Sequence, residues 1–407
     1  TPKNIPHDGT RPTYSAIRNG QRLTTMTSGQ TRFPIAPSKF NFAQQGQCGM
    51  WMNSDLLPNL AKNADDICWM RSLHTEAINH EPAICAMQTG NQVSGRPCIG
   101  SWASYGLGSE NDNLPNFVVL IATPTNREQE QAISSRLWSS GYLPSEHSGV
   151  SFRSKGDPIL FINNPPGVPD DLRKQTIEGI NQLNRLNYQA VGDPETHTRI
   201  RQYEMAFRMQ ASVPELTDLT KEPESTFKLY GEEARKSGSF ANSVLMARRL
   251  AERGVRFTQI YLNNWDHHSN AGGRMPSQCK DIDQACHALI EDLKQRGLFD
   301  DTLIVFSGEF GRTPMAQGNK GPIGRDHHNK AMSMWLAGAG VQRGITYGAT
   351  DDLGYAAQEN ITTVHDLHAT MLHQLGIQHD AFSFKFQGLD ARLSGVEGAK
   401  VIQKILS

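Results

Sequence analysis

The stretch VRFTQIYLN, residues 255–263, decides the fold class of this chain. An amphipathic helix precedes it at 242–253 and ends before Gly254, and a second helix at 281–296 follows it. The apolar run TLIVFS at 302–307 comes next. A strand, a crossover helix and another strand form the unit that pairs strands in parallel, and a continuous apolar run is typical of a buried parallel strand. The pattern predicts an α/β domain with a doubly wound, mainly parallel sheet flanked by helices.

Further periodic segments place more elements around this unit. Three other apolar runs are predicted strands: NFVVLIATP (116–124), PILFIN (158–163) and MSMWLAGAG (332–340). Helical periodicity is predicted from about residue 53 up to the first of these strands, and again at 170–187, 196–211 and 362–376. The helix at 362–376 has a threonine N-cap and a glycine end. Residues 1–40 are polar and lack periodicity, which predicts an extended arm before a single domain at 41–407.

Composition narrows the classes of function. The chain has 407 residues, 37% of them hydrophobic, and a net charge of −1, so it can bury a sizeable core. It contains no dense Lys/Arg cluster, which argues against a nucleic-acid partner. No apolar stretch approaches the ~20 residues of a membrane-spanning helix. The six cysteines include no CxxC pair, and we expect most of them to be small buried residues.

Polar clusters lie beside three of the predicted strands. Asp266, His267 and His268 follow the strand at 255–263, Glu309 and Arg312 follow the strand at 302–307, and Asp326, His327 and His328 precede the strand at 332–340. Ligands of open parallel sheets bind beyond the carboxyl ends of the strands. Two of the clusters are therefore expected at the same edge of the sheet.

Imidazoles and carboxylates together predict a divalent metal at this edge. A mixed nitrogen and oxygen shell favours zinc, manganese or iron, whereas an oxygen-only shell would favour calcium. Asp266 and His268 are two residues apart, so in an extended loop they point the same way. Arg312 and Arg325 suit a bidentate grip on a tetrahedral oxyanion such as sulfate or phosphate.

Structural roles compete with each of these assignments. A DHH tripeptide in a loop is often a solvated turn, Glu309 could cap its own loop, and Arg312 could pin it. His365, His368 and His373 lie on the helix predicted at 362–376 and are interpreted as packing or surface residues. Two DHH clusters plus an acidic residue after a buried strand favour the metal site over these alternatives.

Longer stretches carry a family resemblance. They are DDICWMRSLHTEAINHEPA, GRPCIGSWASYGLGSENDNLPNFVVL, RGLFDDTLIVFSGEFGRTP, GRDHHN, and YGATDDLGY with VHDLHATMLHQLGI, and they extend from about residue 40 to the end. With them the chain resembles the domain of unknown function 1501 family, which groups with the alkaline phosphatase and sulfatase superfamily. The resemblance implies an alkaline phosphatase/sulfatase-like fold with metals at the carboxyl edge of the sheet.

The resemblance also implies roles for individual residues. TLIVFSGEFG is similar to the sulfatase-type TLVIFTSDHG, which puts Glu309 and Phe310 at metal-ligand positions. WDHH is similar to an earlier metal-binding pair, here Asp266 and His268. GRDHH would supply a late histidine, His327 or His328.

The helix opening NHEPAICAMQTG, residues 79–90, raises a separate question. HEPAICAMQTG is similar to the sulfatase stretch CSPSRAALLTG, so His80 takes the place of the formylglycine nucleophile. His80 is then a metal ligand or the attacking group, and the alternative is a helix cap. Thr75 and Ser72 are the fallback nucleophiles. Cys85 lies five residues past the nucleophile position, so formylglycine chemistry is not expected.

One departure from the family pattern concerns the N-terminus. The family usually begins with a Gly-rich strand ending in GGPSH…D, which this sequence lacks. That stretch should supply the first strand and one metal-binding aspartate. We therefore expect an N-terminally incomplete copy.

These features together predict an exported, metal-dependent hydrolase of sulfate esters, with polysaccharides as a substrate class. The alternatives are a phosphatase or phosphodiesterase, and a non-catalytic carbohydrate-binding or surface protein. The partner would be a sulfated or phosphorylated small molecule or polysaccharide. Export and substrate come from the resemblance alone. The predicted catalytic residues are His80 and Arg312. The predicted metal ligands are Asp266, His268, Glu309, Asp326 and His327, which would bind zinc or manganese, with calcium as the alternative. The predicted substrate-binding residues are Arg71, Arg325 and His328.

Overall fold

The computed structural model describes residues 27, 30, 33–126, 133–153, 156–159, 162–318 and 321–407. The arm predicted at 1–40 lies mostly outside this part of the chain, and so does the centre of the strand predicted at 158–163. Within the described residues, no helix combines the length and the apolar character that a membrane span requires.

The described residues form short strands and α-helices of seven or more residues. The strands are β1 (Phe42–Gln45), β2 (Met50–Asn53), β3 (Ile67–His74), β4 (Phe117–Ala122), β5 (Val150–Phe152), β6 (Phe257–Leu262), β7 (Ile304–Phe306), β8 (Gly311–Arg312), β9 (His327–His328), β10 (Met332–Ala337), β11 (Ile345–Tyr347), β12 (Ala349–Thr350), β13 (Ala357–Glu359), β14 (Thr362–Thr363), β15 (Phe384–Phe386) and β16 (Leu389–Ala391). The α-helices are α1 (His80–Thr89), α2 (Ile99–Leu107), α3 (Asp170–Val191), α4 (Glu195–Thr217), α5 (Glu224–Tyr230), α6 (Phe240–Glu252), α7 (Ala271–Gln295) and α8 (Val364–Gln374).

Two sheets form the centre of the fold. The larger has the order β11-β3-β10-β7, and β14 also pairs with β3. In it, β11 and β14 run parallel to β3, whereas β10 runs antiparallel to both β3 and β7. The smaller sheet has the order β5-β4-β6 and is entirely parallel. The pairing is therefore mainly parallel, with β10 as the antiparallel exception.

The predicted parallel pairing of 255–263 with 302–307 is wrong. Both segments form strands, but β6 pairs with β4, and β7 pairs antiparallel with β10. Phe306 of β7 lies opposite Trp335 of β10, and their rings stack with centroids 5.3 Å apart. A local apolar pattern specifies a strand, but contacts made across the sheet choose its partner.

Although α1 and α2 lie in the stretch predicted as helical from about residue 53, the helical pattern is wrong at Ile67–His74, which is β3 in the larger sheet. Its side chains are buried on both faces, so its sequence does not show the alternation of a half-exposed strand. By contrast, the helices predicted at 170–187, 196–211, 242–253 and 362–376 are found as α3, α4, α6 and α8, and α7 begins ten residues before the segment predicted at 281–296.

Helices cover both faces of the larger sheet. Ile67 and Trp335 pack in a cluster with α5, α6 and α7, whereas Cys68 and Leu336, their neighbours along the same strands, pack with α2 and α8. Successive side chains of a strand point to opposite faces, so these two clusters are the two cores of an α/β/α sandwich. The helix-covered sheet agrees with the predicted α/β class.

The segments that follow three of the strands carry the polar residues of the candidate site. β3 leads to α1, which begins at His80; β6 leads to Asp266; and β7 leads to Glu309. The hairpin of β8 and β9 sets Arg312 opposite His327. The carboxyl ends of the strands thus position the candidate site.

Candidate metal centre

The carboxylate of Asp266 is the centre of the site. Its Oδ1 lies 2.9 Å from Nε2 of His268, 3.0 Å from Nε2 of His327 and 2.6 Å from Nη2 of Arg312. Its Oδ2 lies 3.2 Å from Nε2 of His80. Three imidazoles from three separate segments therefore direct the same ring nitrogen at one carboxylate.

The other ring nitrogen of each imidazole has an oxygen partner. Nδ1 of His327 lies 2.7 Å from the backbone carbonyl of Ile78, which can only accept, so this nitrogen carries a proton. Nδ1 of His80 lies 2.6 Å from Oε1 of Glu309. Nδ1 of His268 lies 2.6 Å from Oε1 of Gln317. With Nδ1 as the donor, each neutral imidazole keeps a lone pair on Nε2.

These lone pairs face one another across a small space. Nε2 of His268 and Nε2 of His327 are 3.0 Å apart, and Nε2 of His80 is buried 3.2 Å from Oδ2 of Asp266. Lone pairs converging on a carboxylate repel unless a proton or a metal cation lies among them. Two ligand atoms of one tetrahedral zinc lie about 3.3 Å apart, close to the separations found here. A histidine that binds metal also typically donates its other N–H to an oxygen. The residues fit a transition metal.

Among the residues that the structure describes, two sets of three side chains meet the distance requirement for a shared ion. One is His80, Asp266 and His327; the other is His268, Asp326 and His327. In the second set, Oδ1 of Asp326 accepts from the backbone N–H of His327, and Oδ2 accepts from Thr27 Oγ1 at 2.6 Å. Asp326 therefore orients the loop that carries His327 as well as lying next to the cluster.

The close approach of ionisable side chains shifts their pKa values in the metal-free site. Burial would raise the pKa of Asp266, but the hydrogen bonds to its neighbouring histidines and the charge of Arg312 hold the pKa well below its usual range. Burial would lower the pKa of His80, but Asp266 and Glu309 raise it to about 9. Without metal, a proton on His80 offsets part of the carboxylate charge.

Only two of the three polar residues in the loop after β6 enter the site, because neighbouring side chains of an extended segment point in opposite directions. Asp266 and His268 point the same way, as their spacing predicted, and His267 points elsewhere, to Oε1 of Gln278. In β9 the same alternation sends His327 to the centre and His328 to the carbonyl of Tyr355. Neighbouring histidines therefore have different roles.

An apolar wall covers one side of the centre. The ring of Phe310 lies 4.4 Å from that of His327 and 5.1 Å from that of His80, measured between centroids. Phe310 is buried with Ala77 and Ala83. At a position where the family resemblance implied a ligand, this chain has a side chain that only excludes water.

Several predicted residues lie in other surroundings. Arg71 donates to the carbonyl of Trp51, and Arg325 donates to the carbonyls of Thr313 and Ala36. Burial lowers the pKa of Arg325 to about 10. These bonds give both arginines structural roles; substrate binding by them and by the buried His328 stays a prediction.

The fallback nucleophiles have backbone partners. The hydroxyl of Ser72 donates to the carbonyl of Asn360, and that of Thr75 accepts from the N–H of Ala77. Glu309 reaches Asp266 only through His80 in these contacts, so its role as a direct ligand stays a prediction.

Sequence analysis missed Gln317, the partner of His268. The two residues are 49 positions apart, and a glutamine in a loop gives no local signal of this role. The role of the Ile78 carbonyl could not be predicted from the sequence either, because every residue type has a backbone oxygen.

The chain matches the family described as Protein of unknown function (DUF1501) over residues 8–406, and it belongs to that family. No curated protein matches it in sequence.

Similar solved structures share little identity with the chain. They include Ps i-CgsB, with 12% identity, a TM-score of 0.37, and coverage of 79% of this chain and 66% of that one. The phosphonate monoester hydrolase SpPMH from Silicibacter pomeroyi has 11% identity, a TM-score of 0.38 and coverages of 87% and 73%. A protein in the alkaline phosphatase superfamily from Vibrio parahaemolyticus has 11% identity, a TM-score of 0.34 and coverages of 80% and 62%. The chain thus spans slightly less than two thirds of Ps i-CgsB. TM-scores of this size support no conclusion about function.

Proposed function

We propose that this chain is a metal-dependent hydrolase of sulfate esters, with zinc or manganese bound by Asp266, His80, His268 and His327. One observation carries the proposal: three imidazoles hold Nδ1 against an oxygen and direct Nε2 at the carboxylate of Asp266. Nitrogen-rich shells with a carboxylate suit zinc and manganese better than calcium.

The protein residues would bind and orient, and the ion would supply the Lewis acidity. A bound divalent ion polarises an ester oxygen and lowers the pKa of water. Glu309 and Gln317 hold the rings of His80 and His268 in place. Phe310 keeps water from one side of the centre, which strengthens charge interactions inside it. Arg312, at the edge of the cluster, would bind the anionic oxygens of the ester.

For His80 the contacts favour the role of ligand over that of nucleophile. Its Nδ1 is held by Glu309, and its Nε2 faces Asp266. A nucleophilic nitrogen would need its lone pair directed at the substrate instead. His80 is the first residue of α1, and these two contacts hold its ring in this orientation.

The choice of sulfate over phosphate has weaker support. It rests on the resemblance of TLIVFSGEFG and HEPAICAMQTG to sulfatase stretches. Polysaccharide substrates and export belong to the proposal on the same ground. A phosphatase or phosphodiesterase is the alternative, because both esters present tetrahedral oxyanions.

Metal content followed by activity tests the proposal. Purified protein, reconstituted with zinc or manganese and desalted, should hold about one or two equivalents by inductively coupled plasma mass spectrometry. The loaded protein should then hydrolyse an aryl sulfate faster than an aryl phosphate. Absence of stoichiometric metal would overturn the metal centre, and a preference for the phosphate would favour the alternative.

Variants separate the two roles of His80. His80→Ala should lose metal together with activity if His80 is a ligand. Retained metal with lost activity would make it the nucleophile instead. The exposed His373 provides the matched control, and His373→Ala should change neither metal content nor activity.

A further inference from the structure

Helix α3 has an exposed stripe on the side away from the rest of the protein. Its inner side packs on α4: Asn181 donates to Glu204, and the ring of Tyr188 lies 4.1 Å from that of His197. On the outer side, Leu172, Leu183 and Leu186 are exposed by 48%, 67% and 61%. Exposed leucines concentrated on one helix face are typical of an interaction surface.

The outer residues follow a heptad pattern. Steps of four and three residues connect the exposed side chains that form this seam: Leu172, Thr176, Gly179, Leu183, Leu186 and Ala190. Such spacing keeps a seam facing a second helix along its whole length. The sequence positions of the buried Ile177 and Asn181 fall on the opposite side of the helix. The seam is therefore separate from the packing of α3 within its own chain.

We propose that the seam pairs with the same seam of a second copy, with the two α3 helices antiparallel. In the antiparallel heptad register, two residues face each other across the interface when their residue numbers add up to 362. Leu172 then faces Ala190 of the partner subunit, Leu186 faces the partner's Thr176, and Leu183 faces the partner's Gly179. Every layer joins a leucine to a small residue, as interdigitated packing requires. A parallel pair would instead place Gly179 against itself and leave a void.

Charge supports the same pairing. The residues along one edge of the seam are Gln175, Gln182 and Gln189, and those along the other are Arg173, Ile180 and Asn187. Five of these six positions carry no charge, so two copies approach without like-charge repulsion. The antiparallel register also brings Glu178 to the level of Arg185 of the partner subunit, on the same edge and with opposite sign.

Size sets the expected affinity. The 22 residues of α3 span about 33 Å at 1.5 Å per residue. A strip of that length and one helix in width is a small interface, below about 1,200 Å². We expect reversible dimers with a dissociation constant on the order of micromolar.

Sedimentation of the full chain tests the dimer. Between about 1 and 200 µM, the protein should shift from monomer to dimer. Leu183→Glu places a charge against Gly179 of the partner subunit and should raise the dissociation constant at least tenfold. Leu389→Glu, at an equally exposed leucine outside α3, should leave it unchanged. A monomer at all concentrations, or a dimer indifferent to Leu183→Glu, would overturn the proposal.

Cross-linking tests the register. In a Cys48→Ala background, Gln182→Cys lies beside the twofold axis and should cross-link with itself through a short bis-maleimide. Gln175→Cys faces Gln189 of the partner subunit and should not cross-link with itself. Equal cross-linking of both variants would indicate parallel helices and refute the antiparallel arrangement.

Discussion

The carboxylate of Asp266 illustrates how single residues make this site. Oδ1 contacts His268, His327 and Arg312 within 3.0 Å, and the approach of these groups depresses the carboxyl pKa. Each imidazole in turn depends on an oxygen behind it. At the residue scale, the partners of the ligands should matter as well as the ligands themselves.

Gln317 provides a test of this dependence. Gln317→Leu removes the acceptor for Nδ1 of His268, and we expect about 10- to 100-fold weaker zinc binding. Gln317→Glu keeps an acceptor and should retain tight binding. Isothermal titration calorimetry with zinc measures both, with circular dichroism as the folding control. Equal affinity in the wild type and in Gln317→Leu would contradict the role of Gln317.

At the scale of elements, helices α1 and α8 join through two histidines. Nε2 of His368 donates to the carbonyl of Met87, and Nε2 of His365 lies 2.7 Å from the carbonyl of Gly90. These carbonyls lie at the end of α1, where a helix has no internal donor for them. The interpretation of His365 and His368 as packing residues agrees with these contacts. The junction anchors the helix whose first residue is His80.

Burial makes this junction sensitive to acid. It lowers the pKa of His368 to about 4, whereas an unfolded histidine titrates near 6.5. The unfolded chain therefore takes up the proton first, and the contribution of His368 to stability is lost as pH falls from about 6.5 toward 4. Between pH 8 and 5 the loss should be about 2 kcal/mol. Urea unfolding of His368→Gln, which keeps a donor, should show a correspondingly smaller loss; an identical pH profile would contradict the assignment.

Packing of α2 on β4 gives a second prediction at this scale. A Cβ on Gly100 would lie 2.6 Å from the ring of the buried Phe117. Gly100→Ala should therefore destabilise the protein by about 1–3 kcal/mol, despite the better helix propensity of alanine. Gly179→Ala in α3 is the matched control at protein concentrations well below the dissociation constant of the proposed dimer, because its Cβ would contact nothing in the described part of its own chain, and it should stabilise the monomer by up to about 1 kcal/mol. Urea unfolding measures both, and the same sign for both variants would contradict the packing argument.

At the scale of the whole molecule, the metal centre connects segments that are distant in sequence. The contact of His80 with Glu309 spans 229 positions, and that of His327 with Ile78 spans 249. A ligand that binds only this folded arrangement stabilises the entire domain. Zinc at a hundredfold excess over its dissociation constant should add about 2.7 kcal/mol to the free energy of unfolding.

Thermal unfolding with and without zinc checks this linkage. The midpoint should rise with zinc and return after chelation. Asp266→Asn should show no rise, since it removes the charge on which the imidazoles converge. A zinc-dependent rise in Asp266→Asn equal to that of the wild type would show that the metal binds elsewhere.

Helices and strands with local signals could be predicted from the amino-acid sequence. The apolar runs of β4, β6 and β10 and the glycine-terminated helices α6 and α8 depend on neighbours a few residues away. The position of Asp266 and His268 in one polar loop after a strand also followed from the sequence, whereas a late histidine beside them, His327 or His328, was implied only by the family resemblance.

The pairing of the strands and the atoms that complete the site depend on the tertiary structure. Helices bury β3 on both faces. Its sequence therefore lacks the alternation of polar and apolar residues that would have identified it as a strand. β7 pairs with β10, and Phe306 stacks on Trp335 across that pair. The oxygens of Gln317 and Ile78 that orient the imidazoles lie far away along the chain. Pairing and hydrogen bonding across such separations depend on packing between elements, which local sequence patterns do not encode.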